Sequence, residues 1–295
     1  MKNFSEIQSL ITILNQDPLK YLEINRPQYY QKYVGQIDKY GYNLKTFARY
    51  EPIFQFFFEK YFKVNITGIE NIPSSGPVIL VGNHSGMLPV DAGMTTMAMC
   101  KLHPNPRRIR YLITDWFFQI TGVSRWVKEV GQVRASLTNA YKLIDDNEII
   151  GIYPEGIRGV GKPLKQKYRL IDFHPGFIKL AIPKNVPIVP ISTLGGDEIF
   201  MIFKNVKMLS RLLKMPFYPL TLAFPWLPFP AMFVPLPVKW QIKIHEPIYL
   251  NLNPDQVNNT KIIFEKSHEI QYIIQKELNE MYHNRQTFFS FEKLS

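Results

Sequence analysis

Strand-like runs recur in the middle of this chain, and the stretches between them have the spacing of helices. The runs are PVILVGN (77–83), RRIRYLIT (107–114), EIIGIYP (148–154) and VPIVPIS (186–192). They are rich in Val and Ile and are bounded by Gly, Pro, Asn or charged residues, as strands commonly are. Strands that alternate with helices form a parallel sheet covered by those helices. We therefore predict an α/β fold with a largely parallel or mixed central sheet flanked by helices.

The rest of the chain divides around this region. Residues 1–63 show helical spacing with polar breaks, which predicts an N-terminal helical segment that is able to contact a membrane. Residues 64–250 contain the strand runs and form the predicted α/β domain. Residues 251–295 contain Ile263, Ile270 and Ile274 at helical spacing, so we expect a C-terminal helix that packs on the same domain.

Composition limits the class of function. The formal net charge of +11 favours polyanionic partners, such as a phosphorylated substrate or an anionic membrane surface. The basic residues do not gather in a recognisable nucleic-acid reader motif, so we expect no nucleic acid partner. Cys100 is the single cysteine, and the six histidines lack metal-ligand spacing, which predicts neither a disulfide within the chain nor a metal site.

The first candidate site lies where the run PVILVGN ends. The sequence there reads NHSGMLPVD (83–91), with His84 directly after the strand and Asp91 seven positions later. Functional residues of α/β folds gather at such strand ends. An imidazole is a suitable general base, and a carboxylate on its other ring nitrogen fixes its tautomer. The alternative is that Asp91 caps a helix beginning near Pro89, where an acid is favoured, and that His84 is an ordinary loop histidine.

A second candidate site lies at the end of the run EIIGIYP. The sequence YPEGIRG (153–159) places Glu155, Gly156 and Arg158 in one tight turn. A carboxylate is able to accept hydrogen bonds from a polyol, and the planar guanidinium fork suits a phosphate. The alternative is a common surface turn whose arginine makes a structural ion pair.

Four blocks in this order resemble those of the glycerolipid acyltransferase family, which acylates glycerol 3-phosphate and lysophosphatidic acid. The blocks are NHSGMLPVD (83–91), GQVRAS (131–136), YPEGIRG (153–159) and VPIVPIS (186–192). The likeness extends from about residue 64 to 250, and the chain is similar to the 1-acyl-glycerol-3-phosphate acyltransferases of this family. Two positions depart from the family pattern. Six residues separate His84 from Asp91 where the family has four, and Ile157 replaces the family's threonine.

The resemblance implies a chemistry and a set of roles. His84 would be the base and Asp91 its partner, Glu155 and Gly156 would hold the glycerol hydroxyls, and Arg158 and Arg134 would hold a phosphate. Acyl-CoA or acyl-carrier protein would be the co-substrate, with no cofactor. The chain has no G-x-S-x-G elbow, which agrees with direct attack by the acceptor hydroxyl and no acyl-enzyme. Lysophosphatidic acid is the expected acceptor. The alternatives are a neutral acceptor such as diacylglycerol, or a non-catalytic membrane-binding protein on the same fold.

A membrane-contact region is predicted after the last strand run. Residues 203–215 contain four basic residues and no acid, with apolar residues between them, which is typical of a basic amphipathic helix on an anionic membrane. The predicted contacts are Lys204, Lys207, Arg211, Lys214 and Trp226. The uncharged stretch 216–238 that follows holds seven prolines, so it is not a transmembrane helix. We therefore expect membrane association at the cytoplasmic face. The alternative is an ordinary surface helix followed by a buried loop.

Overall fold

A computed structural model describes residues 2–291, so the end of the predicted C-terminal segment, residues 292–295, lies outside the described residues. The helices alternate with strands along the middle of the chain, as predicted. The helices are α1 Lys2–Leu14, α2 Pro18–Asn25, α3 Pro27–Tyr33, α4 Leu44–Phe56, α5 Val90–Leu102, α6 Trp116–Gln119, α7 Val123–Glu129, α8 Leu137–Asp145, α9 Ile157–Val160, α10 Gly176–Ala181, α11 Lys207–Leu212 and α12 Thr260–His283.

A seven-stranded mixed sheet is the centre of the described structure, with strand order β1-β9-β6-β2-β5-β3-β4. Its five strands from β6 to β4 run parallel to one another, whereas β9 pairs antiparallel with β6. A separate two-stranded sheet joins β7 and β8. The strands are β1 Asn65–Thr67, β2 Val78–Gly82, β3 Ile109–Ile113, β4 Val133–Arg134, β5 Ile149–Ile152, β6 Ile188–Leu194, β7 Lys204–Asn205, β8 Pro219–Leu220 and β9 Gln241–Ile244. The predicted α/β fold is confirmed.

The register of the central strands positions the candidate site. Val81 of β2 lies opposite Ile152 of β5, so both strands end at the same level of the sheet. The side chains of β2 are buried on both faces, which explains the continuous apolar run that predicted it. The residues that follow β2 and β5 are therefore next to each other at the carboxyl edge, and these are the two sequence blocks that carry His84 and Glu155.

Two apolar layers cover the sheet. One layer includes Met94 of α5 and Trp240, together with the partly buried Phe217 and Phe233 from the Pro-rich region. The other layer joins the sheet to α8, α10 and α12 through residues such as Leu143, Ile178 and Ile270. The C-terminal helix packs on the α/β region as predicted. The proposed division of the chain at residues 63/64 and 250/251 stays a prediction.

The N-terminal helices are tied to the sheet by buried charge. Arg110 of β3 is fully buried and pairs with Asp38 and Glu148, and the rings of Tyr40 and Tyr42 lie against its guanidinium. Leu22, Tyr29 and Phe47 form a small apolar cluster beside this network. Within residues 2–291, no helix combines the length and the hydropathy that crossing a bilayer requires.

Two predicted elements are shorter in the structure. The helix predicted over 203–215 is confined to residues 207–212, because Lys204 and Asn205 instead pair with Leu220 and Pro219 in the two-stranded sheet. The alternating residues 238–250 also predict a strand, and the strand in the structure extends only over 241–244. Pro247 follows soon afterwards and has no amide hydrogen to donate to a ladder, so only an isolated bridge at Ile248 continues the pairing.

Candidate active site

His84 and Asp91 are in direct contact despite the longer spacing between them. Nδ1 of His84 lies 2.7 Å from Oδ2 of Asp91, whose side chain is fully buried. The same oxygen accepts a hydrogen bond from the backbone N–H of Ser85, and Oδ1 accepts one from Ala92 in the first turn of α5. Asp91 therefore accepts from an amide of the first helical turn and pairs with the imidazole at once, so a helix-terminus role and a pairing role are compatible. That this pair is catalytic stays a prediction.

The other ring nitrogen of His84 is available. Among the described residues, Nε2 of His84 makes no hydrogen bond, and about 15% of the side chain is exposed. An aspartate that accepts from Nδ1 leaves Nε2 unprotonated in the neutral imidazole. His84 thus presents a proton acceptor at the carboxyl edge of the sheet, and this is the arrangement that a general base requires.

A column of aromatic rings sets the plane of this imidazole. The His84 ring stacks on Tyr153 with centroids 4.4 Å apart and an interplanar angle of 8°. Tyr153 in turn stacks on Tyr111 at 5.6 Å and 5°. Burial raises the pKa of Tyr153 well above its ordinary value, and the charge of Asp91 adds to the shift, so the phenol is neutral. Asp91 holds one edge of the imidazole and Tyr153 supports one face.

Replacing Tyr153 by leucine is expected to lower kcat about 10-fold, because an aromatic pair contributes about 0.5–1.5 kcal/mol beyond its buried area. Tyr153→Phe keeps the ring and should retain activity close to the wild-type value. Both rates are measured at saturating substrate, with thermal unfolding as a check on the fold. Equal rates for the leucine and phenylalanine variants would show that the ring does not position His84.

Glu155 is buried behind His84 and does not face open space. Oε1 accepts a hydrogen bond from the backbone N–H of His84 at 3.1 Å, and Oε2 accepts from the backbone N–H of Ile171 and from Nζ of Lys162. The carboxylate is fully buried. Both oxygens of Glu155 thus already accept hydrogen bonds from the protein, which favours a role in positioning the His84 backbone. That Glu155 holds the acceptor hydroxyls stays a prediction.

Two glycines allow the turn after Glu155 to pack this closely. Gly156 has φ 57° and ψ −148°, a conformation that is essentially confined to glycine. A Cβ on Gly159 would lie 2.7 Å from Cβ of Glu155 and 3.2 Å from the carbonyl oxygen of His84. Both glycines therefore allow the conformation and the close packing of the backbone after Glu155. The prediction that Gly156 contacts the substrate stays untested.

The two predicted phosphate-binding arginines are exposed at the same edge of the sheet. Arg158 extends from the short helix α9, and one of its nitrogens donates to the carbonyl oxygen of Asp172. Arg134 lies at the end of β4, where it pairs with Asp115 at 3.0 Å and stacks over Phe118. Two strand spacings, about 10 Å, separate β4 from β5. Arg158 is therefore closer in the fold to Glu155, and binding of phosphate by either arginine stays a prediction.

Lys162 and Asp197 belong to the site but were missed from the sequence. The ammonium of Lys162 is almost completely buried, 3.2 Å from Glu155 and 3.9 Å from Asp197. Burial raises the pKa of Asp197 to about 6, although the Lys162 charge opposes the shift. A lysine in a polar loop carries no periodic signal, so only its position in the fold reveals its role. Tyr153 could have been recognised from the sequence, because it is the aromatic residue directly before Pro-Glu-Gly.

The remaining sequence candidates lie outside this cluster. Cys100 is buried in α5, and burial raises the pKa of its thiol, so it does not provide a thiolate nucleophile. Within residues 2–291, no three metal-ligating side chains gather in one place. The predicted membrane-contact residues are all exposed on a separate surface: Lys204, Lys207, Arg211, Lys214 and Trp226.

Comparisons with known proteins find related sequences and a related structure. A family model described as "Acyltransferase" matches residues 63–194, the range that contains both strand-end blocks. An uncharacterised protein of Mycobacterium leprae is 36% identical over 86% of this chain and 70% of its own length. A human protein called "DGAT1/2-independent enzyme synthesizing storage lipids" is 25% identical over 74% of this chain and 66% of its own.

One solved structure has the same fold. The 1-acyl-sn-glycerophosphate (LPA) acyltransferase PlsC from Thermotoga maritima superposes with a TM-score of 0.54. The match covers 97% of this chain and 100% of that protein, at 15% sequence identity. This likeness is one of architecture, and it confirms the mixed sheet flanked by helices.

Proposed function

Because this chain belongs to the acyltransferase family, we propose that it moves a fatty acyl group from a thioester donor to a glycerolipid hydroxyl. The donor is acyl-CoA or acyl-carrier protein. The single observation that carries the proposal is the His84 imidazole, held by Asp91 at Nδ1 and free at Nε2. No further cofactor is needed for the step, and the absence of one stays a prediction.

In the proposed step, the acceptor hydroxyl lies against Nε2 of His84. As the hydroxyl oxygen attacks the thioester carbonyl carbon, its proton passes to Nε2 and the Asp91 carboxylate stabilises the imidazolium. The new C–O ester bond forms, the C–S bond breaks, and the leaving thiolate takes the proton back from His84. The described residues offer no activated nucleophile beside the imidazole, which supports transfer without an acyl-enzyme.

Lysophosphatidic acid is the acceptor we favour. The support is Arg158, an exposed guanidinium on α9 just after Glu155, since this side chain matches a phosphate monoester by charge and geometry. The test is to incubate the purified protein with radiolabelled acyl-CoA and a panel of acceptors, followed by separation of the lipid products. Labelled phosphatidic acid is expected. Failure to acylate any hydroxyl acceptor, with either donor, would overturn the proposed function.

A neutral acceptor such as diacylglycerol is the second candidate. Ile157, in the same turn, is 42% exposed and places an apolar side chain where the family has a hydroxyl. The name of the human relative also refers to storage lipids. Labelled triacylglycerol in place of phosphatidic acid would favour this candidate.

Replacing Arg158 by alanine separates the two acceptors. We expect KM for lysophosphatidic acid to rise about 10- to 100-fold, because a hydrogen bond to a charged group contributes about 1.5–3 kcal/mol. KM for diacylglycerol should not change. Arg125→Ala is the matched control, since Arg125 is a highly exposed arginine paired with Glu129 on α7. An unchanged KM for lysophosphatidic acid would remove Arg158 from the phosphate site.

We place the reaction at a membrane surface, on its cytoplasmic face. A long-chain glycerolipid resides in a bilayer, so an enzyme that acylates it must reach that surface. The lone Cys100, with a buried thiol, suits a reducing compartment. The alternative of a non-catalytic membrane-binding protein on this fold is disfavoured, because the chain belongs to an acyltransferase family.

A further inference from the structure

Apolar and basic side chains are exposed together over residues 203–234, which we call the 203–234 surface. Eight of its apolar residues each have more than half of their area exposed to solvent: Phe203, Met208, Leu212, Leu213, Leu222, Trp226, Phe229 and Val234. Four basic residues accompany them, and the sequence from 199 to 245 contains no aspartate or glutamate. Soluble proteins rarely expose large contiguous apolar patches, and those that exist commonly mark a binding surface.

The helix α11 shows that this exposure is not incidental. Met208 and Leu212 are one turn apart and are about 75% exposed, while the neighbouring row of Lys207 and Arg211 is also exposed. Ser210 is the buried residue of this helix. A surface helix normally buries its apolar stripe and exposes its polar face. Here the apolar row faces outwards, so it is available to a partner outside the described structure.

The 203–234 surface is held in place from several sides. The backbone N–H of Val206 donates to the carbonyl oxygen of Tyr218, and the indole N–H of Trp116 donates to the carbonyl oxygen of Lys214. Phe217 and Phe233 pack against the main apolar layer of the sheet. The indole N–H of Trp226 is also satisfied, by the carbonyl oxygen of Thr221. The backbone that carries the exposed side chains is therefore held against the rest of the protein.

We propose that the 203–234 surface docks on an anionic lipid bilayer. The apolar side chains would enter the boundary between headgroups and acyl chains, and Lys204, Lys207, Arg211 and Lys214 would contact the lipid phosphates. The cores of protein–protein interfaces are depleted in charge, and lysine is under-represented at such interfaces. Interleaved lysines and apolar residues with no acid fit a membrane better than a protein partner.

The surface adjoins the candidate active site. Asn205 lies so close to Gly161 that a Cβ there would be 2.9 Å from its side-chain nitrogen, and the backbone N–H of Leu164 donates to the carbonyl oxygen of Ile202. Gly161 ends the turn that begins at Glu155. Docking would bring the carboxyl edge of the sheet to the lipid, and in this respect the inference rests on the proposed function.

Vesicle sedimentation tests the charged part of the surface. The probes are two kinds of vesicle. One is phosphatidylcholine alone, and the other contains ~30% phosphatidylglycerol, which makes its surface strongly anionic. The wild-type protein should bind the anionic vesicles more tightly. Lys207→Gln with Arg211→Gln should weaken that binding about 30-fold, since each basic residue near the surface contributes about fivefold. The control is Lys142→Gln with Lys261→Gln, two exposed lysines on α8 and α12, which cover the opposite face of the sheet.

The apolar part has its own variants. Trp226→Ser with Phe229→Ser should weaken binding to both kinds of vesicle by at least about 10-fold, because burial of each ring is favourable by more than 1 kcal/mol. Tyr272→Ser is the control, since Tyr272 is 68% exposed on α12. Circular dichroism confirms that each variant is folded.

Two further measurements distinguish failure of membrane docking from failure of the proposed acyl transfer. His84→Ala should bind vesicles like the wild type, and Lys207→Gln with Arg211→Gln should still acylate a water-soluble short-chain acceptor. Absence of vesicle binding, equal losses in the control variants, or lipid-free dimerisation that depends on Trp226 and Phe229 would each overturn docking. Acyl transfer that fails for every acceptor, with vesicle binding intact, would overturn only the proposed function.

Discussion

Replacement of His84 by alanine is expected to lower kcat for acyl transfer about 100- to 10,000-fold, the range that a positioned general base contributes. The physical reason is that Nε2 of His84 is the free nitrogen at the carboxyl edge of the sheet, with Nδ1 already held by Asp91. The measurement is the initial rate of labelled product formation at saturating donor and acceptor. KM should change little, because the imidazole acts mainly on the hydroxyl proton.

Asp91→Asn should give a loss of similar size, about 1,000-fold, through a different cause. The amide keeps the shape of the side chain but no longer stabilises the imidazolium. It also has only one acceptor oxygen, whereas the carboxylate uses Oδ2 for the ring and Ser85 and Oδ1 for Ala92. His268→Ala is the matched control, since His268 is an exposed histidine on α12. Full activity in the His84 variant would contradict the assignment of His84 as the general base.

Glu155→Gln is expected to lower kcat about 100-fold and to destabilise the protein by about 3–5 kcal/mol. The stability loss arises because Lys162 would be left as a buried charge without its main partner. The activity loss arises because a small displacement of the His84 backbone misplaces the base relative to the hydroxyl. Thermal or denaturant unfolding measures the first effect and single-turnover kinetics the second.

A double variant distinguishes positioning from direct substrate contact. Lys162→Met in the Glu155→Gln background removes the stranded charge, so part of the stability should return while kcat remains low. Glu277→Gln is the control, because Glu277 pairs with the half-exposed Lys243 and exposed pairs contribute only about 0–1 kcal/mol. If Glu155→Gln raised KM for the acceptor and left both kcat and stability unchanged, the original prediction of a substrate contact would stand.

Much of the fold could be predicted from local patterns. The runs that became β2, β5 and β6 are buried on both faces, so their apolar residues are continuous and unmistakable. The residues just after β2 and β5 could be recognised as site candidates because a parallel sheet brings such ends together. The basic helix was predicted too long because Lys204 pairs with Leu220 in a strand. Such cross-strand pairing leaves no signal in the local sequence.

By itself, the sequence determined the order of strands and helices, the placement of His84 and Glu155 at two strand ends, and the family to which the chain belongs. Only the tertiary structure decided whether six intervening residues still deliver Asp91 to the imidazole, because that depends on how the loop folds over the first turn of α5. It also decided that Glu155 faces inward, since its carboxylate accepts from the backbone N–H of His84, far away in the sequence, and from Lys162 and Ile171 in the loop that follows. Spacing predicts which residues share an edge, whereas the direction of each side chain depends on contacts made by residues far apart in the sequence.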